Sequence, residues 1–316
     1  MAASSNILLK WLLPLWSRGI KDLLFVDALE VNEHRDDTIT GKILFIPDIV
    51  DTGCYSNYNT DCNYAGATIL PRPCLRRPPN VREIVGSGAT GLVGMTSERT
   101  VLKFPRPHEK CREDVLLERK IYRVLGKHDR VVTRYWDSED GICLEYMHHG
   151  SLRDYMLRDN VLISEELKFR WIVQATEAVE FIHSRLVVHA DISPRNFLLD
   201  RDLNLKICDF GGASLEGMPA SAIETPRYRL PLRNRSLGQP ASIKSDIFAL
   251  GSVIYEVETG SPPFSDLSSE DVQENYMAGV FPDTSGLVCG NIVESCWQCR
   301  FQGCGEMLQA LRLIAW

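Results

Sequence analysis

Three polar side chains in the segment 187–211 have the types and the spacing that phosphoryl transfer from a nucleotide would need. Asp191 could orient an acceptor hydroxyl, and Asn196, five residues later, could hold a metal ion. Asp209 opens the triplet DFG and supplies a second metal-binding carboxylate beyond the next predicted hairpin. The HxD triplet that ends at Asp191 is a weak signal by itself. Together with the Asn and the DFG in this order, it becomes a strong one.

Elements that could position a nucleotide against these groups precede them in the chain. The segment Gly86–Val93, GSGATGLV, predicts a hairpin whose backbone amides can approach a triphosphate because glycines leave room for it. Alone, this pattern is also consistent with a plain glycine-bearing turn. An apolar strand then ends in Lys103, a cation that could hold the α- and β-phosphates. Residues 111–126 follow, with apolar side chains at helical spacing.

Taken together, these motifs resemble the eukaryotic protein kinase family. The resemblance covers residues 80–316 and implies a kinase domain at 81–316, preceded by an N-terminal extension at 1–80 with a Pro/Arg linker and no assignable function. It also implies an α+β, two-lobed fold with a nucleotide cleft between the lobes. A small antiparallel sheet with one helix is expected up to residue 145, followed by a larger, mainly helical lobe.

The resemblance implies roles for five catalytic residues. Lys103 would fix the phosphates and would be held by Glu118, which is preferred to its rival Glu113 because the family's core contacts follow it at the matching offsets. Asp191 would orient the acceptor hydroxyl and take its proton. Arg195 would supply charge to the γ-phosphate, as in tyrosine kinases, and the Thr225 hydroxyl would contact Asp191.

The resemblance also implies ATP and Mg²⁺ as cofactors. Asn196 and Asp209 would hold the metal. Leu144 would be the gatekeeper, and the backbones of Glu145 and Met147 would hydrogen-bond adenine. The full set expected at ATP is Gly86, Ser87, Gly88, Ala89, Gly91, Val93, Val101, Lys103, Leu144, Glu145, Met147 and Leu198.

Two structural expectations follow from the same resemblance. Asp246, in the DxxxxG pattern of a predicted helix, should hold the backbone of the catalytic loop. His189, Phe210 and Tyr122 should stack as an internal spine between the lobes, so that His189 is structural rather than catalytic.

The chain departs from the family pattern at several positions. Ala190 replaces the arginine that usually pairs with a phosphorylated activation loop, so activity should not need that phosphorylation. Ser193 replaces a lysine typical of Ser/Thr kinases. The usual Ala-Pro-Glu becomes Leu230–Leu232, and its arginine partner is not recognisable, which should leave the C-lobe less firmly tied. Val101 stands where alanine is usual and would narrow the adenine pocket.

The favoured function is a protein kinase acting on Ser/Thr, because the segment Thr225–Tyr228 resembles the substrate-facing loop of that branch. Arg195 and Cys296–Trp297 favour the tyrosine-kinase or tyrosine-kinase-like branch instead. Three alternatives remain: a pseudokinase or ATP-binding scaffold, a small-molecule phosphotransferase, and a binding role of the N-terminal segment. The DFG and DxxxxG motifs count against the second.

Composition limits the class of protein. The 316 residues have a formal net charge of -7, which argues against nucleic acid as a partner and leaves ATP and a protein substrate. The ten cysteines are scattered rather than paired, which predicts a reducing compartment and hence an intracellular, cytoplasmic protein. A zinc site is a minor alternative, built from the cluster Cys289, Cys296, Cys299 and Cys304.

The N-terminal region carries few signals. The apolar stretch Asn6–Trp16 is interrupted by Lys10 and Pro14 and is too short for a membrane span, so no transmembrane segment is expected. A secretory signal is not recognisable either. Disorder or packing is the preferred expectation for this stretch, and a short amphipathic helix that packs on the domain or touches a membrane surface is the alternative. A short strand at Gly41–Ile49 and a stiff basic linker at Pro71–Pro79 are also expected.

Overall fold

A computed structural model describes residues 77–159, 161–231 and 241–314 of the chain. The expectations for the N-terminal helix, the strand at 41–49, most of the linker and Leu232 lie outside these residues. In the described ranges, no helix has the length and apolar character needed to cross a membrane.

The first part is a five-stranded antiparallel sheet with one helix against it. Its strands are β1 (Glu83–Ser87), β2 (Gly91–Ser97), β3 (Thr100–Pro105), β4 (Arg134–Asp137) and β5 (Ile142–Glu145), in the spatial order β1-β2-β3-β5-β4. β2 and β3 pair so that Val93 lies opposite Lys103, and β3 and β5 pair so that Val101 lies opposite Leu144. The antiparallel pleat therefore brings the glycine-rich hairpin, the lysine strand and the strand before residue 146 side by side.

Helix α1 (Glu109–Leu125) connects β3 to β4. The His108 ring nitrogen Nδ1 accepts the Lys110 N–H at 3.2 Å and caps the first turn, and Gly126 ends the helix with φ 66°. The buried residues of the helix, among them Val115, Ile121 and Leu125, recur at helical spacing on the face that packs against the core.

The second part is mainly helical. Its helices are α2 (Leu152–Met156), α3 (Glu165–Ser184), α4 (Ile243–Thr259), α5 (Ser269–Met277), α6 (Gly290–Trp297) and α7 (Cys304–Arg312), with a 3-10 turn at Pro226–Tyr228. The fold class predicted from the sequence is confirmed: an antiparallel sheet with a helix is followed by a mainly helical lobe.

Helix α4 is the centre of the helical part, and most of its side chains are buried. Ser242 and Ser245 form a reciprocal capping box at its start, and Gly260 closes it in the left-handed conformation. Gly251 allows α6 to approach closely, because a Cβ there would lie only 2.5 Å from the Cβ of Cys296. This packing fixes α4 as a rigid support for the loops above it.

Five short strands hold the loops between these helices. They are β6 (Gly150–Ser151), β7 (Val187–Val188), β8 (Phe197–Leu199), β9 (Leu205–Ile207) and β10 (Ser214–Leu215). β8 pairs with β6 and β9, and β10 pairs with β7. Trp171 of α3 donates to the Leu203 carbonyl at 2.9 Å and ties the β8–β9 hairpin to the helices.

The cysteine cluster contributes to packing in this structure. Cys296 is fully buried, and its thiol lies 3.9 Å from the Met307 sulfur. Among the described residues, no group of three or more His, Cys, Asp or Glu side chains forms a potential metal site.

Candidate active site

Lys103 is the centre of a charge cluster in which Lys103 and Glu118 are buried and Asp209 is partly exposed. Its Nζ lies 2.6 Å from Glu118 Oε2 on α1 and 2.6 Å from Asp209 Oδ1 after β9. The rival Glu113 instead lies 3.8 Å from Lys110, on the exposed side of the helix. Glu118 also accepts the backbone N–H of Phe210 at 3.3 Å. Strand β3, helix α1 and the DFG triplet are thus joined at one point.

The three charged groups of this cluster shift one another's pKa. Burial alone would lower the pKa of Lys103, but the negative charges of Glu118 and Asp209 outweigh it and hold the pKa above its usual value. The charge of Lys103 in turn holds the pKa of Asp209 below its usual range, against the effect of burial. At neutral pH the lysine is therefore a cation, and Asp209 is a carboxylate.

Asp191 and Asn196 meet in the loop between β7 and β8. The Asn196 side-chain amide donates to the Asp191 carbonyl at 2.7 Å and to Asp191 Oδ2 at 3.0 Å. Because the amide nitrogen is used in this way, the amide oxygen of Asn196 is left to act as a ligand. Burial raises the pKa of the Asp191 carboxyl; His189 and the Asn196 amide act against this, and the charge of Asp209 adds to it.

Asp246 holds the backbone of the catalytic loop, as predicted. It is fully buried at the start of α4, and its carboxylate accepts the N–H groups of His189 at 2.8 Å and Ala190 at 2.9 Å. Its Oδ2 also lies 2.9 Å from the ring of His183 on α3. Ala190 has a φ of 65°, a conformation that costs a non-glycine residue about 1 to 3 kcal/mol. The two charge-assisted hydrogen bonds offset that cost.

The predicted spine is confirmed. The Phe210 ring lies 5.2 Å from the Tyr122 ring in an edge-to-face arrangement and 5.3 Å from the His189 ring. The ring of His189 also bonds to the Cys208 carbonyl at 2.9 Å, so it is used structurally. Helix α1, the DFG triplet and the catalytic loop are thereby stacked in one line.

The glycine-rich hairpin lies over the carboxylate of Asp209. The Gly88 N–H donates to the Gly91 carbonyl at 2.9 Å and closes the turn between β1 and β2. A Cβ at Gly88 would lie 3.8 Å from Asp209 Oδ2, the oxygen that Lys103 does not bind. The hard oxygen donors Asp209 Oδ2 and the Asn196 amide oxygen are the ligand type that Mg²⁺ prefers, so this donor set fits the metal that the sequence predicts.

The side chains predicted to surround adenine share one apolar cluster. Val101, Leu144 and Met147 are buried members of it, and Val93 and Leu198 pack against it. The Met147 carbonyl accepts from Gly150 N–H at 3.1 Å, whereas its own N–H makes no hydrogen bond with the described residues. The Glu145 N–H is occupied by the Thr133 carbonyl at 2.9 Å. Of these two backbone N–H groups, only that of Met147 is therefore left to bind adenine.

The sequence of the chain matches that of a known domain over the same elements. Residues 80–287, from the glycine-rich hairpin to the region before α6, match the profile of the protein kinase domain. This chain belongs to the protein kinase family. The match includes Lys103, Glu118, Asp191, Asn196 and Asp209.

Curated relatives of this kinase domain are distant. The cAMP-dependent protein kinase catalytic subunit 3 of Drosophila melanogaster is 31% identical over 209 residues, which are 62% of this chain and 35% of that protein. The cAMP-dependent protein kinase catalytic subunit PRKX of Homo sapiens is 29% identical over 62% of this chain and 57% of its own length. The dual specificity protein kinase pyk3 of Dictyostelium discoideum is 27% identical over 67% of this chain. The matched part spans only 16% of pyk3, so these relatives are all longer than the region they share with this chain.

Two predicted site residues of the kinase domain stand apart from the charge cluster. Thr225 is exposed, and in the described part of the chain its hydroxyl makes no hydrogen bond to Asp191. Arg195 is exposed as well and forms no hydrogen bond or ion pair with a described residue. Ser193, in place of the usual lysine, is buried and cannot supply a charge.

Three contacts of the kinase domain were not predicted from the sequence. Arg106 donates to the Gly88 carbonyl at 3.2 Å and to the Ser87 hydroxyl at 2.6 Å, which fixes the glycine-rich turn. Lys206 of β9 binds both carboxylate oxygens of Glu145, at 2.9 and 2.8 Å. Charge and proximity in sequence to the motifs are the only signals that these residues carry.

Proposed function

We propose that this kinase domain transfers the γ-phosphate of ATP to a protein hydroxyl, with serine or threonine as the acceptor. The convergence of Lys103, Glu118 and Asp209 through 2.6 Å contacts carries the proposal, because two of the three charges are buried and the structure has no need of such a cluster for stability. Residues with the chemistry for each step of phosphoryl transfer lie beside it.

The proposed mechanism assigns one task to each residue. Lys103, kept charged by its two carboxylates, would hold the α- and β-phosphates. Asp209 and Asn196 would hold Mg²⁺, which when bound neutralises the charge that develops on the phosphates. Asp191 would orient the acceptor hydroxyl and take its proton. The amides of Gly86–Gly91 would cover the phosphates, and the Met147 N–H would bind adenine.

Arg195 supports the proposal at the point where the usual lysine is missing. Its guanidinium is exposed, lies four residues after Asp191 and acts to lower the pKa of that carboxyl. A cation there could meet the γ-phosphate. Thr225 would contact Asp191 only after a change in its segment, since its hydroxyl makes no hydrogen bond to Asp191 among the described residues.

A second candidate is an ATP-binding scaffold without transferase activity. Ser193 and Thr225 favour it, because Ser193 lacks the charge of the usual lysine and the Thr225 hydroxyl makes no hydrogen bond to Asp191 among the described residues. Both candidates bind nucleotide, so only transfer separates them.

The deciding experiment measures transfer of radiolabelled γ-phosphate to mixed protein acceptors and to small-molecule acceptors. We expect label on protein serine or threonine, and a loss of about a hundredfold or more in Asp191→Asn, which keeps the shape but not the base. Asp200→Asn, in the β8–β9 turn, is the matched control and should transfer normally. Binding of Mg-ATP without label on any acceptor would support the scaffold instead. Label on small molecules alone would also contradict the proposal.

A further inference from the structure

Four arginines lie in or beside the catalytic loop and the activation segment. Arg195 lies in that loop, and Arg153 of α2 is joined to it because the Arg153 N–H donates to the Pro194 carbonyl at 3.1 Å. Arg227 and Arg229 flank Tyr228 in the activation segment. These four residues, Arg153, Arg195, Arg227 and Arg229, are called the arginine surface.

The charges of the arginine surface are poorly neutralised. Arg227 donates to the backbone carbonyls of Phe264 and Leu267, and Arg229 donates to the backbone carbonyl of Glu224. A carbonyl satisfies a hydrogen bond without cancelling a charge. Within the described residues, the guanidinium groups of Arg153 and Arg195 form no hydrogen bond or ion pair.

The acidic groups nearby are already in use. Glu256 of α4 is 3% exposed, and its Oε2 accepts the Tyr228 hydroxyl. Glu224 is 2% exposed. Asp154 is exposed, but its carboxylate accepts the Ser151 hydroxyl at 2.7 Å as part of the cap of α2. Of the acids named here, only Asp154 and Asp191 are open to a basic peptide, so the four arginines outnumber the available carboxylates.

We propose that the acceptor segment recognised by this kinase is acidic, with carboxylates beside the acceptor hydroxyl that contact the arginine surface. The inference rests on the proposed function, because it assumes that the acceptor lies at Asp191. Arg153 is a specificity residue on this surface and not part of the transfer chemistry. Its planar, permanently charged guanidinium can bind a carboxylate through two hydrogen bonds.

The test measures peptide binding rather than transfer, so that it can fail independently of the proposed function. Three fluorescent peptides carry alanine at the acceptor position, flanked by glutamates, by lysines or by glutamines. Their affinities for the full chain are measured by fluorescence anisotropy at low and at high salt. We expect the glutamate peptide to bind about tenfold more tightly than the lysine peptide at low salt, and this preference to shrink at high salt.

Variants test whether Arg153 causes the preference for the glutamate peptide. Arg153→Gln should weaken the binding of that peptide about three- to fivefold, whereas Arg153→Lys should keep most of the preference. Arg312→Gln, an exposed arginine on α7, should bind like the parent chain. Arg153 acts to lower the pKa of the buried Glu256, so thermal unfolding of each variant is recorded as well.

Two results would overturn the inference. One is equal or tighter binding of the lysine peptide by the parent chain. The other is an Arg153→Gln variant that binds all three peptides as Arg312→Gln does. If Arg153→Gln does not fold, the salt titration of the parent chain decides, since a preference that salt leaves unchanged would not come from exposed charges. Absence of transfer in the labelling experiment would instead refute the proposed function and leave these binding results valid.

Discussion

The nucleotide side of the cleft and the activation segment differ in how much of the family pattern they keep. On the nucleotide side, Lys103 is held by Glu118 and Asp209 at 2.6 Å, and the spine is stacked behind them. Beside the activation segment, Ala190 and Ser193 of the catalytic loop replace charged residues of the pattern, and Thr225 of the segment itself is exposed. The residues that would hold the metal and the α- and β-phosphates are retained, whereas the usual lysine for the γ-phosphate and the arginine that would read a phosphorylated loop are not.

The difference has a physical basis. Phosphates and a divalent cation have the same charge and size in every reaction, so the groups that meet them are constrained in type and in position. An acceptor segment and a regulatory signal vary from one protein to another. We therefore expect this chain to handle ATP like other family members, and to differ in how it meets its substrate and how it is controlled.

The largest expected effect is on the nucleotide side. Lys103→Met removes the buried cation but keeps the volume of the side chain, so transfer should fall by about a hundredfold to a thousandfold. The thermal stabilisation by Mg-ATP should also decrease. Lys110→Met, which removes an exposed lysine of α1 paired with Asp114, is the matched control and should leave both unchanged. Full transfer by Lys103→Met would contradict the statement that the nucleotide side keeps the family's phosphate-binding chemistry.

A smaller effect is expected in the pH profile of transfer. Burial raises the pKa of Asp191, and Asp191 must be a carboxylate to take the acceptor proton. As the pH falls through this raised pKa, the carboxyl becomes protonated and kcat/KM should fall. The acid limb should therefore lie at a higher pH than for an ordinary aspartate. Initial rates across the acidic range test this, and a limb in the ordinary aspartate range would contradict it. The residual rate of Asp191→Asn should lack the limb.

The smallest effect is expected in the activation segment. Ser214 is buried and its hydroxyl donates to the Met218 carbonyl, and Ala190 has no charge that could pair with a phosphate. Phosphatase treatment should therefore leave the transfer rate within about twofold, and so should Ser221→Ala. Rates before and after treatment, with mass spectrometry to confirm removal of phosphate, are the measurement. A loss of activity on treatment would mean that a basic residue elsewhere binds a phosphate on the activation segment. The activation segment would then be controlled as the family pattern predicts, and it would differ less from the nucleotide side.

The sequence could predict the parts of the site that lie in motifs of fixed spacing. Lys103, Asp191 and Asp209 fall into this class, and so does Asp246, whose role the family resemblance implied. The sheet and the helix that bears Glu118 were also predictable, since glycine turns and helical periodicity specify them locally.

Other contacts could not be predicted, because they join ordinary residues that are distant in the chain. Lys206 and Glu145 are separated by 61 positions, and Tyr228 and Glu256 by 28, with no motif to link either pair. The direction of the Thr225 hydroxyl depends on the backbone angles of the 3-10 turn that it precedes. Side chains that follow from tertiary packing rather than from local pattern are therefore the ones that sequence reasoning missed.

The burial of Ala190 limits what an arginine introduced at this position could do. Only 1% of its surface is exposed, its backbone is left-handed, and its N–H is taken by Asp246. An arginine introduced here would have to displace packed neighbours before its guanidinium reached the activation segment, at a cost of about 1 to 3 kcal/mol. Introducing the arginine of the family pattern at this position alone would therefore destabilise the fold, and a working phosphate contact would need changes in the packed neighbours as well.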